Sequence, residues 1–267
     1  MPVKKKLFSL NEIRKLHYKG QRANKLYNWY IDDWYGSPYS ALKSRFFIET
    51  SSIIVFILQN SKITPNFLTL TYAFLGAIGG IFLASNNEDL ILISLILFFT
   101  KNVFDWADGF YARITKRVTD LGALLDNWGA AVGTYSFLGG FGIYLYHKNE
   151  EVYFIALTII IISIKSLDLR KFAYENITHQ RNRKKNNNKN KYQLGKIYNF
   201  LKNFIVHTLD ERARLVDFIC LLIFIDIFYT NIDFLDYIFY LLFLRNLIYF
   251  CGTFYVTYYK NILSQFK

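Results

Sequence analysis

The chain has 267 residues, 53% of them hydrophobic and 19% aromatic, with a mean hydropathy of +0.16. That apolar share, gathered into long blocks, excludes an ordinary water-soluble domain and a disordered chain and points to a membrane protein. The net charge of +12 would suit a nucleic-acid binder, but it lies between the apolar blocks; topology and acidic lipid account for it, and no nucleic-acid partner is called for. Cys220 and Cys251 fall within apolar segments at no paired spacing that would suggest zinc or redox work, and both are expected to be small packing residues.

Residues 1–62 read as a cytoplasmic and interfacial segment. The start is basic, Met1 to Lys6, but no apolar core follows within the next 40 residues, unlike a cleaved signal peptide. The first 45 residues hold ten Lys or Arg together with Tyr27, Trp29, Tyr30, Trp34 and Tyr35. Basic and aromatic side chains together suit the headgroup level of a membrane, a solvated arm being the other reading. The run Ile53 to Leu58 is shorter than the roughly 20 residues a span needs. It is assigned to an amphipathic helix lying along the surface.

Residues 63–260 read as a membrane domain of six transmembrane helices, an all-α integral membrane fold. The first opens at Ile63-Thr-Pro-Asn-Phe-Leu-Thr69, where Thr64 can cap and Pro65 suits the first turn, and continues to Ala84. Gly76, Gly79 and Gly80 let a neighbouring helix pack closely. The others are expected over 89–111, 121–146, 151–167, 213–230 and 234–259. Arg245, near the middle of the last span, faces either an acid such as Asp226 or Asp217 or an anionic acceptor. The connections set orientation: Ser85 to Asp89 and Tyr229 to Asp236 contain no Lys or Arg, and His147 to Glu151 only Lys148. On the other side Ala112 to Thr119 has three and Lys165 to Arg214 thirteen. Positive charge marks the cytoplasmic side, which therefore holds both termini, the basic loop 168–212 and the short tail 261–267. Within that loop Arg181 to Lys191 is low-complexity and basic, suited to acidic headgroups, and Phe200 to Val206 suits a further interfacial helix.

The second and third spans carry the chemistry. Asp105 and Asp108, three apart, share a helix face, and Asp126 follows 18 residues after Asp108, enough for a turn and a returning helix. Acids in membrane segments are a functional hypothesis by default. Three hard oxygen donors converging from two helix ends suit Mg²⁺ or Mn²⁺, which bind phosphates as well. Gly109 lets a ligand approach the backbone, Ala112 keeps the next turn small, and Arg113 offers a planar fork to phosphate oxygens.

These residues resemble the signature of the CDP-alcohol phosphotransferases, Asp-x2-Asp-Gly-x2-Ala-Arg-x8-Gly-x3-Asp-x3-Asp. Asp105, Asp108, Gly109, Ala112, Arg113, Gly122 and Asp126 match at the required spacing. The eighth position departs: Ala130 stands where the family has a metal ligand and general base. The resemblance implies a six-span bundle, usually a homodimer, with its site open to the cytoplasmic leaflet. It implies attack of an acceptor hydroxyl on a CDP-linked alcohol, commonly CDP-diacylglycerol, with release of CMP. It places the metal on Asp105, Asp108 and Asp126, and the CDP group on Asn66, Thr69, Gly109, Ala112, Arg113, Thr119 and Gly122. Lys165, Arg170 and Arg212 are candidate phosphate contacts by position.

Three readings stand: an active Mg²⁺-dependent transferase of lipid biosynthesis with a substitute for the missing base; a non-catalytic relative binding CDP-alcohol or metal as a partner subunit; and a small transporter with an acidic cation site. The acids' place at helix ends argues against transport. The charge pattern predicts that cysteines introduced at Asn86 and Asn231 react with an impermeant thiol reagent in intact cells and that one at Asn187 does not. Labelling at Asn187 would overturn the orientation.

Overall fold

The computed structural model describes residues 7–23, 31–32, 34–35, 38–167, 214–229 and 234–259. Among these residues are eight helices and no strand: α1 Leu10–Ala23, α2 Pro38–Leu58, α3 Pro65–Leu83, α4 Glu88–Thr115, α5 Asp120–Asn149, α6 Tyr153–Ser166, α7 Arg214–Tyr229 and α8 Phe234–Tyr259. Each of the six expected spans is a helix, α3 to α8. Among the described residues three segments are long and apolar enough to cross a membrane: Pro65–Leu83, Glu88–Thr115 and Phe234–Tyr255. At 14 residues α6 is shorter than the roughly 20 a span needs, and 16 residues of α7 are described. The 30 residues of α5 suffice in length, but its glycines and polar residues dilute its apolar character. Tyr27, Trp29, Tyr30, Arg170, the basic run 181–191, the helix expected at Phe200 to Val206, Arg212 and the tail 261–267 lie outside the described residues.

The chain divides into two compact units, Met1–Phe82 with Asp89–Phe137, and Leu83–Glu88 with Leu138–Lys267. In the first, α1 starts at a reciprocal cap. Glu12 Oε2 accepts from the Ser9 amide at 2.8 Å, and the Glu12 amide donates to Ser9 Oγ at 3.3 Å. The run Ile53 to Leu58 ends the 21-residue helix α2, which begins at Pro38. The Gln59 side chain then ties the chain before α1 to the end of α2, bonding both the amide and the carbonyl of Phe8 at 3.0 Å. Tyr111 of α4 donates to Leu58 O at 2.9 Å and lies 3.2 Å from Ile63 O, which anchors the turn between α2 and α3. Ile13, Val55, Leu68, Ala107, Phe110 and Tyr111 form a core shared by the first four helices.

Glycines bring α3 against α5. A Cβ on Gly80 would lie 2.5 Å from the Ser136 carbonyl oxygen, and one on Gly76 would lie 3.0 Å from Gly133 Cα. Backbone cannot yield at such distances, so the contact exists only with glycine.

The second unit is held by satisfied charges. Buried Asp226 accepts from Tyr144 Oη at 2.7 Å and from Lys148 Nζ at 2.8 Å, so this acid of α7 pairs with α5. Asn149 Nδ2 donates to Asp236 Oδ1 at 3.0 Å. Phe141 and Phe154 pack edge-on against Phe239. Cys220 is half-buried and Cys251 exposed, so the latter is not the packing residue expected of it.

His17 of α1 is fully buried in the first unit. Its ring stacks on Phe110 at 3.7 Å, and Nδ1 lies 3.3 Å from Ser52 Oγ, while Nε2 has no hydrogen-bond partner. Burial, helped by the nearby Arg113 charge, pushes its pKa from 6.5 down to about 3. Below its ordinary value the unfolded chain binds a proton that the folded chain refuses, so this residue costs stability as pH falls from 6.5 towards 3. In detergent, the thermal midpoint of wild type should therefore fall more steeply between neutral and acid pH than that of His17→Phe, which keeps the stack. Parallel midpoint curves for the two proteins would contradict this.

Candidate active site

The signature residues occupy the last turns of α4 and the first turns of α5, and α3 holds both. Asp108 is 5% exposed; its Oδ2 accepts from Thr69 Oγ1 at 2.5 Å and its Oδ1 from the Gly109 amide. Asp126 is exposed, and Tyr72, one turn beyond Thr69, lies with its hydroxyl 3.0 Å from Asp126 Oδ1 and 2.6 Å from Asp126 O. The Tyr72 ring is buried flat against α5: a Cβ on Gly129 would come within 2.7 Å of its Cε2, Cζ and Oη. Asp105 is half-buried, and the charges of Asp105 and Asp126 both act on Asp108.

The turn between the helices is built by local hydrogen bonds. α4 ends with Lys116 in the left-handed region at φ 55°, its amide donating to Arg113 O at 3.3 Å and that of Arg117 to Ala112 O at 2.9 Å. This Schellman closure is usually made with glycine. Thr119 Oγ1 then accepts from the Gly122 amide at 3.0 Å and caps α5. Asn66 Oδ1 and Thr119 Oγ1 both stand 3.2 Å from where a Cβ on Gly122 would be, so Asn66, Thr119 and Gly122 come together. The Arg113 guanidinium folds over Gly109, 3.2 Å from where its Cβ would be, and the Arg113 side chain is exposed. Half-buried Ala112 supplies the turn's carbonyl acceptor. Ala130 is half-buried on α5, and its carbonyl accepts from Thr134 Oγ1 at 2.9 Å.

In donor chemistry the three carboxylates suit a hard divalent cation. In their present rotamers no group of three or more His, Cys, Asp or Glu among the described residues is gathered to hold one. Asp108 and Asp126 instead accept hydrogen bonds from Thr69 and Tyr72.

Tyr72 is the site residue that sequence reasoning missed. Its only signal is that it lies three residues beyond Thr69, on the same helix face, and a tyrosine in an apolar run is ordinary.

An all-helical chain with apolar spans and acids at two adjoining helix ends defines a membrane protein with a polar site. The chain matches the CDP-alcohol phosphatidyltransferase family over residues 62–206, more than half of its length, and it belongs to that family. No curated protein matches it. The family consists in general of divalent-metal-dependent phosphotransferases that use a CDP-alcohol donor and an alcohol acceptor.

If Asp126 holds a divalent metal and the Tyr72 hydroxyl orients it, Tyr72→Phe should weaken Mn²⁺ binding by about 10–100-fold, the usual cost of losing an outer-shell partner. Titration of purified protein followed by Mn²⁺ electron paramagnetic resonance reads this directly. An affinity within about twofold of wild type would show that the hydroxyl does not act through the metal site.

Proposed function

We propose that the protein is a membrane-embedded, Mg²⁺-dependent transferase acting on a CDP-linked lipid of the CDP-diacylglycerol type in phospholipid or related lipid synthesis. The single observation that carries the reading is the double clamp from α3. Thr69 on Asp108 and Tyr72 on Asp126 join the two halves of a signature that matches at seven positions. Asp105, Asp108 and Asp126 would hold Mg²⁺ or Mn²⁺. Bound there, the ion would neutralise diphosphate charge and stabilise the departing phosphate.

The chain's own groups define the rest. Asn66, Thr69, Gly109, Ala112, Arg113, Thr119 and Gly122 form the nucleotide side of the site, where Arg113 presents a fork to phosphate oxygens. In the reaction, the acceptor hydroxyl oxygen bonds to the β-phosphorus, the bond from that phosphorus to the CMP oxygen breaks, and the hydroxyl proton passes to a base. Ala130 cannot take it. A substitute base therefore serves, from another side chain or from a phosphate on the acceptor.

Six spans with the acids facing the cytoplasm, and a homodimer, complete the proposal. The groove between α1 and α2 is lined by Arg14, Lys15, Lys19, Arg22 and Arg45 and by the acid Glu49, a positive excess that suits anionic headgroups at that surface. Arg14 is paired with Glu49, and Arg22 and Arg45 with Asp32.

The test is CMP release from radiolabelled CDP-diacylglycerol with a panel of acceptors, comparing wild type with Ala130→Asp at matched Mg²⁺. General-base assistance is worth about 10²–10⁴-fold. With a substitute base in place the added carboxylate should be neutral or harmful, because a fourth acid repels the other three. A gain of about tenfold or more would instead mark a site that merely lost its base. Absence of CMP release by either protein, across donors and acceptors, would favour a non-catalytic partner subunit.

A further inference from the structure

The apolar run of α4 does not pass directly into the acids. Lys101 stands between them, four residues before Asp105 and seven before Asp108, and so on their face of the helix. Thirteen residues past Glu88, it lies about 20 Å along the helix at 1.5 Å per residue. A cation that far into an apolar helix is costly and faces a polar interior rather than lipid.

Its surroundings are shaped around it. A Cβ on Gly133 of α5 would lie 2.9 Å from Lys101 Nζ and 3.3 Å from its Cε, and a Cβ on Gly76 of α3 would lie 3.4 Å from its Cδ. The stem thus runs between two glycines on opposite helices and carries the ammonium to α5, with Asn102 Oδ1 3.5 Å from Nζ. Gly133 is seven residues past Asp126 and three past Ala130, on the same face of α5. At the position where the family pattern has a carboxylate, this chain has the methyl group of Ala130, and one turn further on the Lys101 ammonium meets Gly133.

Along α4 from its C-terminal end the polar groups run Arg113, Asp108 with Gly109, Asp105, then Lys101. A CDP-alcohol laid along that face with its nucleotide at the α4–α5 turn presents its groups in matching order: cytidine, α-phosphate, β-phosphate, alcohol. We propose that Lys101 Nζ binds the β-phosphoryl group of the donor, on the side of the acids away from the nucleotide. Lysine serves as a point charge for phosphate, and its effect is strong where water is excluded. The inference rests on the transferase reading.

Binding of CDP and of CMP tests it, measured by calorimetry on detergent-purified protein with Mg²⁺. CDP carries the β-phosphate and CMP does not. Lys101→Met should weaken CDP by about tenfold or more, as expected for loss of a charged hydrogen bond, and leave CMP within about twofold. Gly133→Ala, which forces the ammonium aside while keeping it, should lower the CDP-to-CMP affinity ratio in the same direction and decides the matter if Lys101→Met does not fold. A wild-type ratio in both variants, or equal weakening of the two nucleotides, overturns the role of Lys101 and leaves the transferase reading intact. A wild-type protein that binds neither nucleotide overturns both.

Discussion

A carboxylate inside an apolar helix must be given donors, and for Asp108 and Asp126 the side-chain donors described come from α3. Thr69 and Tyr72, one turn apart, reach acids on two different helices, so α3 has to lie close to both. The close-packed side of α3 bears glycine at 76 and 80, where a Cβ would strike Gly133 and Ser136 of α5. Tyr72 makes the same demand in reverse, its buried ring filling the space left by Gly129. Polar satisfaction and close backbone packing are thus one constraint, since relaxing either helix outward would strand Asp108 with less than its complement of donors.

Around that clamp the remaining site residues are placed by short-range chemistry. The Schellman closure at Lys116 and the Thr119 cap return the chain so that Gly122 meets Asn66, while Arg113 lies back on Gly109. The far side of α4 is supported separately. Tyr111 fastens the turn between α2 and α3, and Phe110 stacks on buried His17 of α1. The N-terminal helix therefore packs against the signature helix itself.

The face of α5 that carries Asp126 has Ala130 one turn further on and opens at Gly133, where the Lys101 ammonium lies. The electrostatics of this site differ from those of a four-carboxylate site. If the site takes a diphosphate as proposed, Lys101 would bring it one positive charge from the chain itself.

Much of this was legible in the sequence, because the relevant information is local. Hydrophobic blocks located helices α3 to α8, and the spacing of Asp105, Asp108, Gly109, Ala112, Arg113, Gly122 and Asp126 pointed to the family that the match over residues 62–206 shows. The capping box at Ser9 and Glu12 is equally local, a Ser-x-x-Glu pattern ahead of α1. The contacts between helices were not legible. Thr69 meets Asp108 across 39 residues and Tyr72 meets Asp126 across 54, while Asp226, weighed as a partner for Arg245, pairs with Lys148. A helical period tells which residues share a face of one helix. The rotation and register of that face against its neighbours are decided only when side chains interdigitate, and that is why Tyr72, His17 and Lys101 acquired their surroundings from the tertiary structure alone.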